Sequence, residues 1–295
     1  MKISAVVSTK GGVGKTTIEA NLGAFCADAG LRTLLIDLDP AQPSLSSYYQ
    51  LVDEAQGGIY DLLAFNITDS AKIISSTAIP NLSLVISNDI NNQLNSLLLQ
   101  APDGRLRLAN LMPAFKDHFD LVLIDTQGAR SAMLEMVVLA SDLVISPLPP
   151  NMLAAREFSR GTMQMLDGLR AYGRLGMKIP PVRIVVNNLD QTTDAQMIEQ
   201  SVREIFQDND EINVLDSIIP TAVVFRSAAS QGLPVHRLEY RQPSNRISPA
   251  ALAVIRQLAI ELFPEWRDRF EAMTEDRVAK LVKEDRVAKL IKEGR

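Results

Sequence analysis

The sequence predicts a doubly wound α/β fold, in which helices cover both faces of a mostly parallel sheet. Three observations lead to this prediction. Apolar β-type runs alternate with helical patterns almost to the end of the 295-residue chain. Several of these runs, such as TLLID, LVLID and VRIVVN, are nearly unbroken, which is typical of parallel strands that are buried on both faces. A glycine cluster also lies between the first apolar run and the first helical pattern, and such junctions bind ligands in folds of this class.

The strands and helices follow from these patterns in chain order. The run ISAVV predicts the first strand, and TTIEANLGAFCADAG after the glycine cluster predicts the first helix. TLLID, LVLID, DLVIS and VRIVVN predict later strands, with helical patterns between most of them. The polar, glycine-containing stretch 53–80 predicts only short helices, such as 59–64. The predicted strands are 3–8, 32–37, 82–87, 120–125, 142–147, 182–187 and 213–219, and the main predicted helices are 16–29, 105–116, 130–140, 151–173, 194–207 and 247–263.

Length and composition predict one large domain. The chain is 46% hydrophobic and 22% charged, which is ample for one α/β core and hardly enough for two. Because no Gly/Ser-rich linker divides it, we expect a single domain over 1–263 and a charged helical tail over 264–295. The single cysteine, Cys26, excludes a disulfide framework within the chain and a multi-cysteine metal site. With no leader-like or transmembrane-length apolar run, we expect a cytoplasmic protein.

The glycine cluster STKGGVGKTT predicts a phosphate-binding loop. Loop N–H groups and the unpaired N–H groups of the first helical turn converge on an anion, and the helix dipole favours its binding. Lys15 would reach the β- and γ-phosphates, and the Thr16 hydroxyl would coordinate Mg²⁺. The stretch departs from the pattern G-x-x-x-x-G-K-[ST], because Thr9 replaces the first glycine and Lys10 adds a second lysine. The predicted nucleotide-binding residues of the loop are Gly11, Gly12, Val13, Gly14, Lys15, Thr16 and Thr17.

The stretch KGGVGKTT resembles the deviant phosphate loop of the ParA/MinD family, dimerising ATPases that partition DNA or position cell machinery. In that family the early lysine crosses the dimer interface to the partner subunit's nucleotide, and the resemblance gives this role to Lys10. It implies ATP and Mg²⁺ as cofactors and a homodimer that forms on ATP binding. It also implies a slow ATPase, in which Lys10 and Lys15 stabilise charge on the γ-phosphate and hydrolysis releases the two subunits.

Carboxylates follow two of the predicted strands, in the stretches LLIDLDPAQPS and LVLIDTQGA. An aspartate after a strand is in general a turn former or a helix cap. These stretches resemble the acidic motifs of the family, although Ala41 is inserted in the first of them. The resemblance implies that Asp39 positions the attacking water. It further places Asp125 and Thr16 at Mg²⁺ and Asp37 in the outer shell of the metal.

The stretch IVVNNLD predicts a contact with the nucleotide base. Asn187 stands where family members use an asparagine amide to bind the purine edge, which implies adenine. The stretch also resembles the guanine-binding N-K-x-D motif, with Asn188 in place of the lysine and Asp190 in the acidic position. An asparagine-rich turn is a third interpretation. The segment after the last strand resembles the family's segment that packs around the base, near Pro220.

Charge along the chain bears on the partner. The net charge of −5 and the pI near 5.2 argue against a surface that is basic throughout. Five arginines nevertheless lie between positions 226 and 256, against one acid, Glu239. A solvated helix face is one interpretation. The resemblance implies another: the ATP dimer binds double-stranded DNA non-specifically and works with a ParB-like adaptor. The candidate DNA contacts are Arg226, Arg237, Arg241 and Arg246.

Two classes of function therefore remain open, with a metabolic transferase or kinase as a distant third. The first is a DNA-partition ATPase associated with the nucleoid. The second is a MinD-like positioning or assembly ATPase that acts on protein machinery or membrane. The C-terminal tail bears on this choice, because MinD-like proteins end in an amphipathic helix that binds the membrane.

The tail contains a tandem repeat, EDRVAKLVK (275–283) and EDRVAKLIK (284–292). Nine residues turn a helix by about 180° net, so the apolar clusters of the two repeats point in opposite directions. A membrane-surface helix needs one continuous apolar face and bulky anchors, and neither repeat has an aromatic residue. We therefore expect a solvent-exposed helix that projects from the core and does not bind membrane, with two small opposed stripes available to pack on the core, on a dimer mate or on a partner protein. The opposed stripes consist of Val278, Leu281 and Val282 in the first repeat and Val287, Leu290 and Ile291 in the second.

Overall fold

The structure is a computed structural model that describes residues 1–244 and 246–293, with side chains as far as residue 287. Within these residues, nine strands form one sheet. Numbered along the chain, the strands are β1 Lys2–Val6, β2 Thr33–Leu38, β3 Leu51–Asp53, β4 Ser75–Thr77, β5 Leu82–Val85, β6 Leu121–Thr126, β7 Leu143–Leu148, β8 Val182–Leu189 and β9 Ile212–Pro220. The helices are α1 Lys15–Asp28, α2 Ile59–Phe65, α3 Ser70–Ile73, α4 Leu94–Gln100, α5 Arg107–Leu111, α6 Ala132–Ala140, α7 Met152–Glu157, α8 Gln164–Leu169, α9 Thr193–Phe206, α10 Val223–Gln231, α11 Val235–Leu238, α12 Ala251–Leu262, α13 Arg267–Glu271 and α14 Glu275–Glu293.

The sheet is mostly parallel, with the strand order β3-β4-β5-β2-β6-β1-β7-β8-β9. All strand pairs from β5 to β9 in this order are parallel, whereas β3 and β4 add an antiparallel edge. The predicted fold class is confirmed. The sequence patterns missed β3 and β4, because each has only three residues and lies in or beside a polar stretch where no alternation can be recognised.

Helices cover both faces of the sheet, and each face has its own apolar core. Leu35 of β2 packs in one cluster with Phe25 of α1, and the helices α11 to α14 contribute to the same face. Ile36, the next residue of β2, packs in the other cluster with Val137 of α6. Successive strand residues point to opposite faces, so β2 must be apolar at both positions. This explains the unbroken apolar runs in the sequence.

Two of the long predicted helices are interrupted. The prediction 105–116 contains only α5 as α-helix, flanked by 3₁₀ turns, and Pro113 lies at the start of the second of these. The prediction 151–173 contains α7 and α8, separated by a π-helical segment over Phe158–Met163. Such segments are rare and are often found at functional sites.

The tail packs on the core through the apolar stripe of its first repeat, which is one of the three contacts expected for the stripes, and it is therefore less exposed than a helix that projects from the core. The first repeat, in α14, packs on the core, because Val278 is fully buried and Leu281 and Val282 are partly buried against the same cluster. Phe270 and Met273, just before α14, are also fully buried in that cluster. The division of the chain at residue 263 stays a prediction.

The second repeat shows less contact with the core. Val287 is 56% exposed, although it corresponds to the buried Val278 of the first repeat. The side chains of Leu290 and Ile291 lie outside the described residues. None of the helices in the described part of the chain combines the length and the apolar character needed to cross a bilayer.

Candidate nucleotide-binding site

The loop between β1 and α1 has the shape of a phosphate cradle. Gly12 and Gly14 have φ angles of 71° and 92°, a region in which side chains other than glycine are strained. A Cβ atom on Gly14 would also lie only 2.3 Å from Nδ2 of Asn187. α1 begins at Lys15, directly after Gly14, so the free N–H groups of its first turn lie next to the loop.

A second glycine holds the loop from the side of β6. Gly128, in the turn between β6 and α6, is so close to the loop that a Cβ atom there would lie 2.7 Å from Cα of Gly11. A side chain at position 128 would therefore push the loop away from the sheet. The stretch DTQG thus fixes the position of the loop from its neighbouring strand.

The loop borders a cavity of about 700 Å³ at the carboxyl ends of the strands. This is where ligands bind in open α/β sheets. The wall includes the loop, the turn after β2 and the turn after β6. The predicted site residues in it are Gly11, Gly12, Gly14, Lys15, Thr16, Thr17 and Asp39.

Thr16 and Asp125, two of the residues predicted to hold the metal, lie next to each other in the structure. The Thr16 hydroxyl donates a hydrogen bond to Oδ2 of Asp125 at 2.5 Å, across 109 residues of sequence. Burial raises the pKa of Asp125 to about 7, and the neighbouring Asp37 carboxylate adds to this rise. A hydroxyl and a carboxylate are ligands that suit Mg²⁺, which takes its remaining ligands from phosphates and water. The two residues are therefore suited to hold Mg²⁺.

The two lysines of the loop differ in burial. Lys15 is buried, and this burial lowers its pKa, although Asp125, Asp39 and Glu19 act in the opposite direction. Lys10 is half-exposed at the edge of the loop. Among the described residues, neither lysine forms an ion pair. Both ammonium groups are therefore free to bind an external anion.

The turn after β2 is closed by hydrogen bonds to its two aspartates. Asp37 is buried and accepts bonds from Asp39 N (3.0 Å) and from both N and Oγ of Ser46 (2.7 Å each). Burial raises the pKa of Asp37, and the bonds from Asp39 and Ser46 act against this rise. The Asp39 carboxylate accepts from Ala41 N and Gln42 N at 3.0 Å each. Asp37 therefore anchors the turn, and its predicted place in the outer shell of the metal stays a prediction.

A second cavity, of about 360 Å³, adjoins the loop beside β8 and β9. Asn187 is buried in its wall and donates from Nδ2 to the carbonyl of Val13 at 2.7 Å. The amide thus supports the loop, while its contact with a base stays a prediction. Pro220 ends β9 opposite Leu189, and the residues on either side of Pro220 line the cavity. The space has the position expected for the base of a nucleotide whose phosphates lie on the loop.

Arg237 does not belong to the basic surface that was predicted to contact DNA. This residue is buried, and its guanidinium group binds Asp28 of α1 and Asp285 of α14. It cannot contact DNA in this structure. Sequence reasoning missed this because the charged partners lie 209 and 48 residues away.

The other three arginines lie at the surface to different degrees. Arg246 pairs with Glu239 and is partly buried. Arg226 is exposed at the mouth of the second cavity. Arg241 is exposed and lies over the ring of Tyr240, 5.6 Å from its centroid. Arg226 and Arg241 are therefore the candidates whose charge is available to a partner.

Two further features of the site were not anticipated from sequence. Glu19, four residues after Lys15 on α1, is fully buried beside the site. Gly161, in the π-helical segment, packs so closely on the loop that a Cβ atom there would lie 2.0 Å from Oγ1 of Thr9. A polar residue one helical turn after the loop lysine is the only sequence signal for the first, and no sequence signal marks the second.

A phosphate loop of this geometry, placed between the first strand and first helix of a parallel sheet, defines a P-loop nucleoside triphosphatase. A family model described as an AAA domain matches residues 1–170. The chain belongs to the ParA/MinD family of deviant Walker A ATPases. It is 31% identical over 236 residues to the chromosome-partitioning ATPase Soj of Treponema pallidum, covering 79% of this chain and 88% of that protein.

Solved structures share the fold over nearly the whole chain. A variant of McdA from Cyanothece with one aspartate replaced by alanine, in complex with ATP, superposes with a TM-score of 0.70 at 20% identity, covering 95% of this chain and 96% of that one. The septum site-determining protein MinD from Pyrococcus horikoshii, complexed with Mg-ADP, gives 0.66 at 20% identity, with 91% and 98% covered. The cofactors predicted from the sequence, ATP and Mg²⁺, agree with the ligands of these two proteins.

Proposed function

We propose that the chain is a switch ATPase that partitions DNA. It binds ATP and Mg²⁺, dimerises, and in that state binds DNA without sequence preference. A ParB-like adaptor then stimulates hydrolysis, which releases the protein from the DNA. The observation that carries the proposal is a loop with Lys10 in a chain related to a chromosome-partitioning ATPase over most of both lengths. The protein would act in the cytoplasm, at the nucleoid.

The site supports the ATPase part of this proposal through charge and position. Lys15 and the loop N–H groups bind the β- and γ-phosphates, and Thr16 and Asp125 hold Mg²⁺. Bound Mg²⁺ would neutralise charge on the phosphates. In this structure the Asp39 carboxylate is engaged by the N–H groups of its own turn. Both N–H groups bind the same oxygen, Oδ1, so these bonds fix the orientation of the carboxylate while Oδ2 would position the attacking water.

The DNA-binding part is supported by the two available arginines. Arg226 and Arg241 both follow the carboxyl end of β9, on the segment from α10 to the loop before α12. Contacts of this kind with phosphates give affinity that is independent of sequence and falls with salt. Because Arg226 also lines the second cavity, its contact with DNA must be separated experimentally from a contact with the nucleotide.

The test is a salt titration of DNA binding, measured by fluorescence anisotropy with ATP, with ADP and without nucleotide. We expect binding only with ATP. Arg241→Glu should weaken it and reduce the salt slope by about 1, with ATP affinity unchanged. Arg174→Glu is the matched control, because Arg174 is exposed and lies shortly before the start of β8, at the opposite end of the strands.

Absence of ATP-dependent binding at low salt would contradict the DNA-binding proposal. Together with normal ATP hydrolysis, that result would favour the second candidate, a positioning ATPase that acts on protein machinery. The fold shared with a septum site-determining protein is the observation behind that candidate. An equal salt slope for Arg241→Glu and the wild type would contradict the contact through Arg241.

A further inference from the structure

The main chain around Lys10 is packed against two glycines that belong to different elements. Gly128, after β6, lies so close that a Cβ atom there would be 2.8 Å from N of Gly11 and 3.0 Å from the carbonyl carbon of Lys10. Gly161, in the π-helical segment, lies against the residue before the lysine, Thr9. The main chain of this half-exposed lysine is therefore held on both sides of it in sequence.

Rotation of the Thr9 side chain could not make room for a side chain at position 161. A Cβ atom on Gly161 would lie 2.0 Å from Oγ1 of Thr9, and a change of rotamer would move that oxygen. The same Cβ atom would also lie 2.8 Å from Cβ of Thr9, which is attached directly to the main chain. Carbon atoms that are not bonded pack best at about 3.5–4.0 Å. The main chain of the loop or of the π-helical segment would therefore have to move.

Gly161 is required for its size and not for its backbone conformation. Its φ angle lies outside the left-handed region, so an alanine at this position would meet no backbone strain. The contact is also purely steric, because Oγ1 of Thr9 is buried and has no hydrogen-bond partner in the described part of the chain. The π-helical segment thus brings a residue without a side chain up to the amino-terminal side of the loop.

The other lysine of the loop is held by different contacts. Lys15 is buried in the first turn of α1, and the residue before it, Gly14, lies directly against Asn187 of β8. None of these contacts involves the π-helical segment. A displacement that starts at Thr9 should therefore reach Lys10 and leave Lys15 in place.

We propose that Gly161 is a positioning residue that directs Lys10 through Thr9. This inference rests on the proposed function, because it assumes that Lys10 binds the nucleotide of a second subunit. A small shift of the main chain at Thr9 is magnified along the length of the lysine side chain that follows. Misplacement of a functional group by about 1 Å can cost roughly 100-fold in rate. Gly161 thus acts on the site although it lines neither cavity.

The test is Gly161→Ala, with Gly168→Ala as the matched control. Gly168 is exposed on α8, and a Cβ atom there would lie 3.5 Å from Nη2 of Arg130, an ordinary contact distance. Calorimetry with ADP should give wild-type affinity for both variants, because Lys15 and its part of the loop are unchanged. Sedimentation velocity with ATP and Mg²⁺ should give a dimer dissociation constant about tenfold higher for Gly161→Ala and unchanged for the control.

The substitution Thr9→Gly tests the route of the effect. It removes the side chain that the new Cβ atom would meet, so Gly161→Ala should cause no further loss of dimer in a Thr9→Gly background. An equal loss in both backgrounds would overturn the inference, since the alanine would then act elsewhere. If Gly161→Ala does not fold, Thr9→Gly alone decides. It should weaken the dimer by roughly threefold at unchanged affinity for ADP, and a dimer as tight as that of the wild type would overturn the inference.

The inference and the proposed function fail in different ways. A wild type that dimerises with ATP, together with a Gly161→Ala variant that dimerises equally tightly, would overturn the inference alone. Loss of ADP binding by a folded Gly161→Ala variant would also overturn it, because the displacement would then extend to Lys15. A wild type that binds ADP but stays a monomer with ATP and Mg²⁺ would overturn the proposed switch as well.

Discussion

Asp125 is a predicted ligand of Mg²⁺ whose pKa is set by its burial in the fold. It is nearly fully buried at the end of a central strand, next to Asp37, and burial raises its pKa to about 7. In the absence of a cation this carboxyl group is therefore substantially protonated near neutral pH. A cation bound to Thr16 and Asp125 must displace that proton, so metal binding should strengthen as the pH rises through 7.

The raised pKa of Asp125 predicts how stability depends on pH. In the unfolded chain the carboxyl group titrates near 3.8, so between about pH 4 and 7 the folded state binds more protons. The contribution of this carboxyl group to the free energy of unfolding is fully present below pH 4 and is lost as the pH rises through 7. Asp125→Asn removes this loss. The free energy of unfolding of the variant should therefore rise relative to that of the wild type over that window, by at most roughly 4 kcal/mol at pH 8.

Urea denaturation in EDTA without nucleotide, at several pH values from 4 to 8, measures this difference. The asparagine has its own effect on stability, which does not change with pH, so the slope reports the titration of Asp125 together with the acids coupled to it. A difference between variant and wild type that is constant across the range would contradict the raised pKa.

Single residues differ in how far the sequence determines their role. The loop residues could be predicted because they are contiguous and their glycines serve a local geometry. Asp125 could be placed because it ends an apolar run. Arg237 and Glu19 could not, because their burial depends on elements that are distant in sequence. Arg237 meets Asp28 of α1, and this contact exists only in the folded chain.

Among the elements, strands were easier to predict than helices. A parallel strand buried on both faces has an unbroken apolar run, as in β2 and β6, and few other elements share that pattern. The helical pattern over 151–173, by contrast, does not reveal the π-helical segment between α7 and α8. That segment brings Gly161 against Thr9 of the loop, a tertiary contact that the helical period cannot encode.

The tandem repeat in α14 provides an internal comparison of two equivalent positions. Val278 is fully buried in the core, and Val287, nine residues later, is 56% exposed. Val278→Ala should lower the free energy of unfolding by roughly 2 kcal/mol, because it removes two buried methyl groups and leaves a cavity. Val287→Ala should change it by less than about 0.5 kcal/mol.

Chemical denaturation of the two variants and the wild type checks this prediction. Both substitutions make the same chemical change in nearly the same local sequence, so differences in helix propensity cancel. Equal effects of the two substitutions would mean that the first repeat does not pack on the core in solution.

At the scale of the whole molecule, the site lies at the carboxyl edge of the sheet, between helices that cover its two faces. α1 packs on one face and α6 on the other, and the loops before both helices converge at the carboxyl ends of the strands. Lys10 stands at the outer edge of this junction, half-exposed and without an ion-pair partner among the described residues. Met152 and Leu153, which follow the carboxyl end of β7, are 56% and 61% exposed. The proposed dimer would bury such groups, an available cation and exposed apolar side chains that follow the carboxyl ends of the strands.

This arrangement predicts different consequences for the two lysines of the loop. With ATP and Mg²⁺, the wild type should sediment as a dimer. Lys10→Ala should bind ATP with nearly wild-type affinity and remain a monomer, because in the proposed switch the ammonium group of Lys10 would bind the nucleotide of the partner. Lys15→Ala should lose ATP binding and therefore dimerisation. Lys178→Ala, at an exposed lysine before the start of β8, should behave like the wild type. Sedimentation velocity and calorimetry on the same samples separate binding from association, and an ATP-bound Lys10→Ala dimer would show that the lysine does not act across an interface.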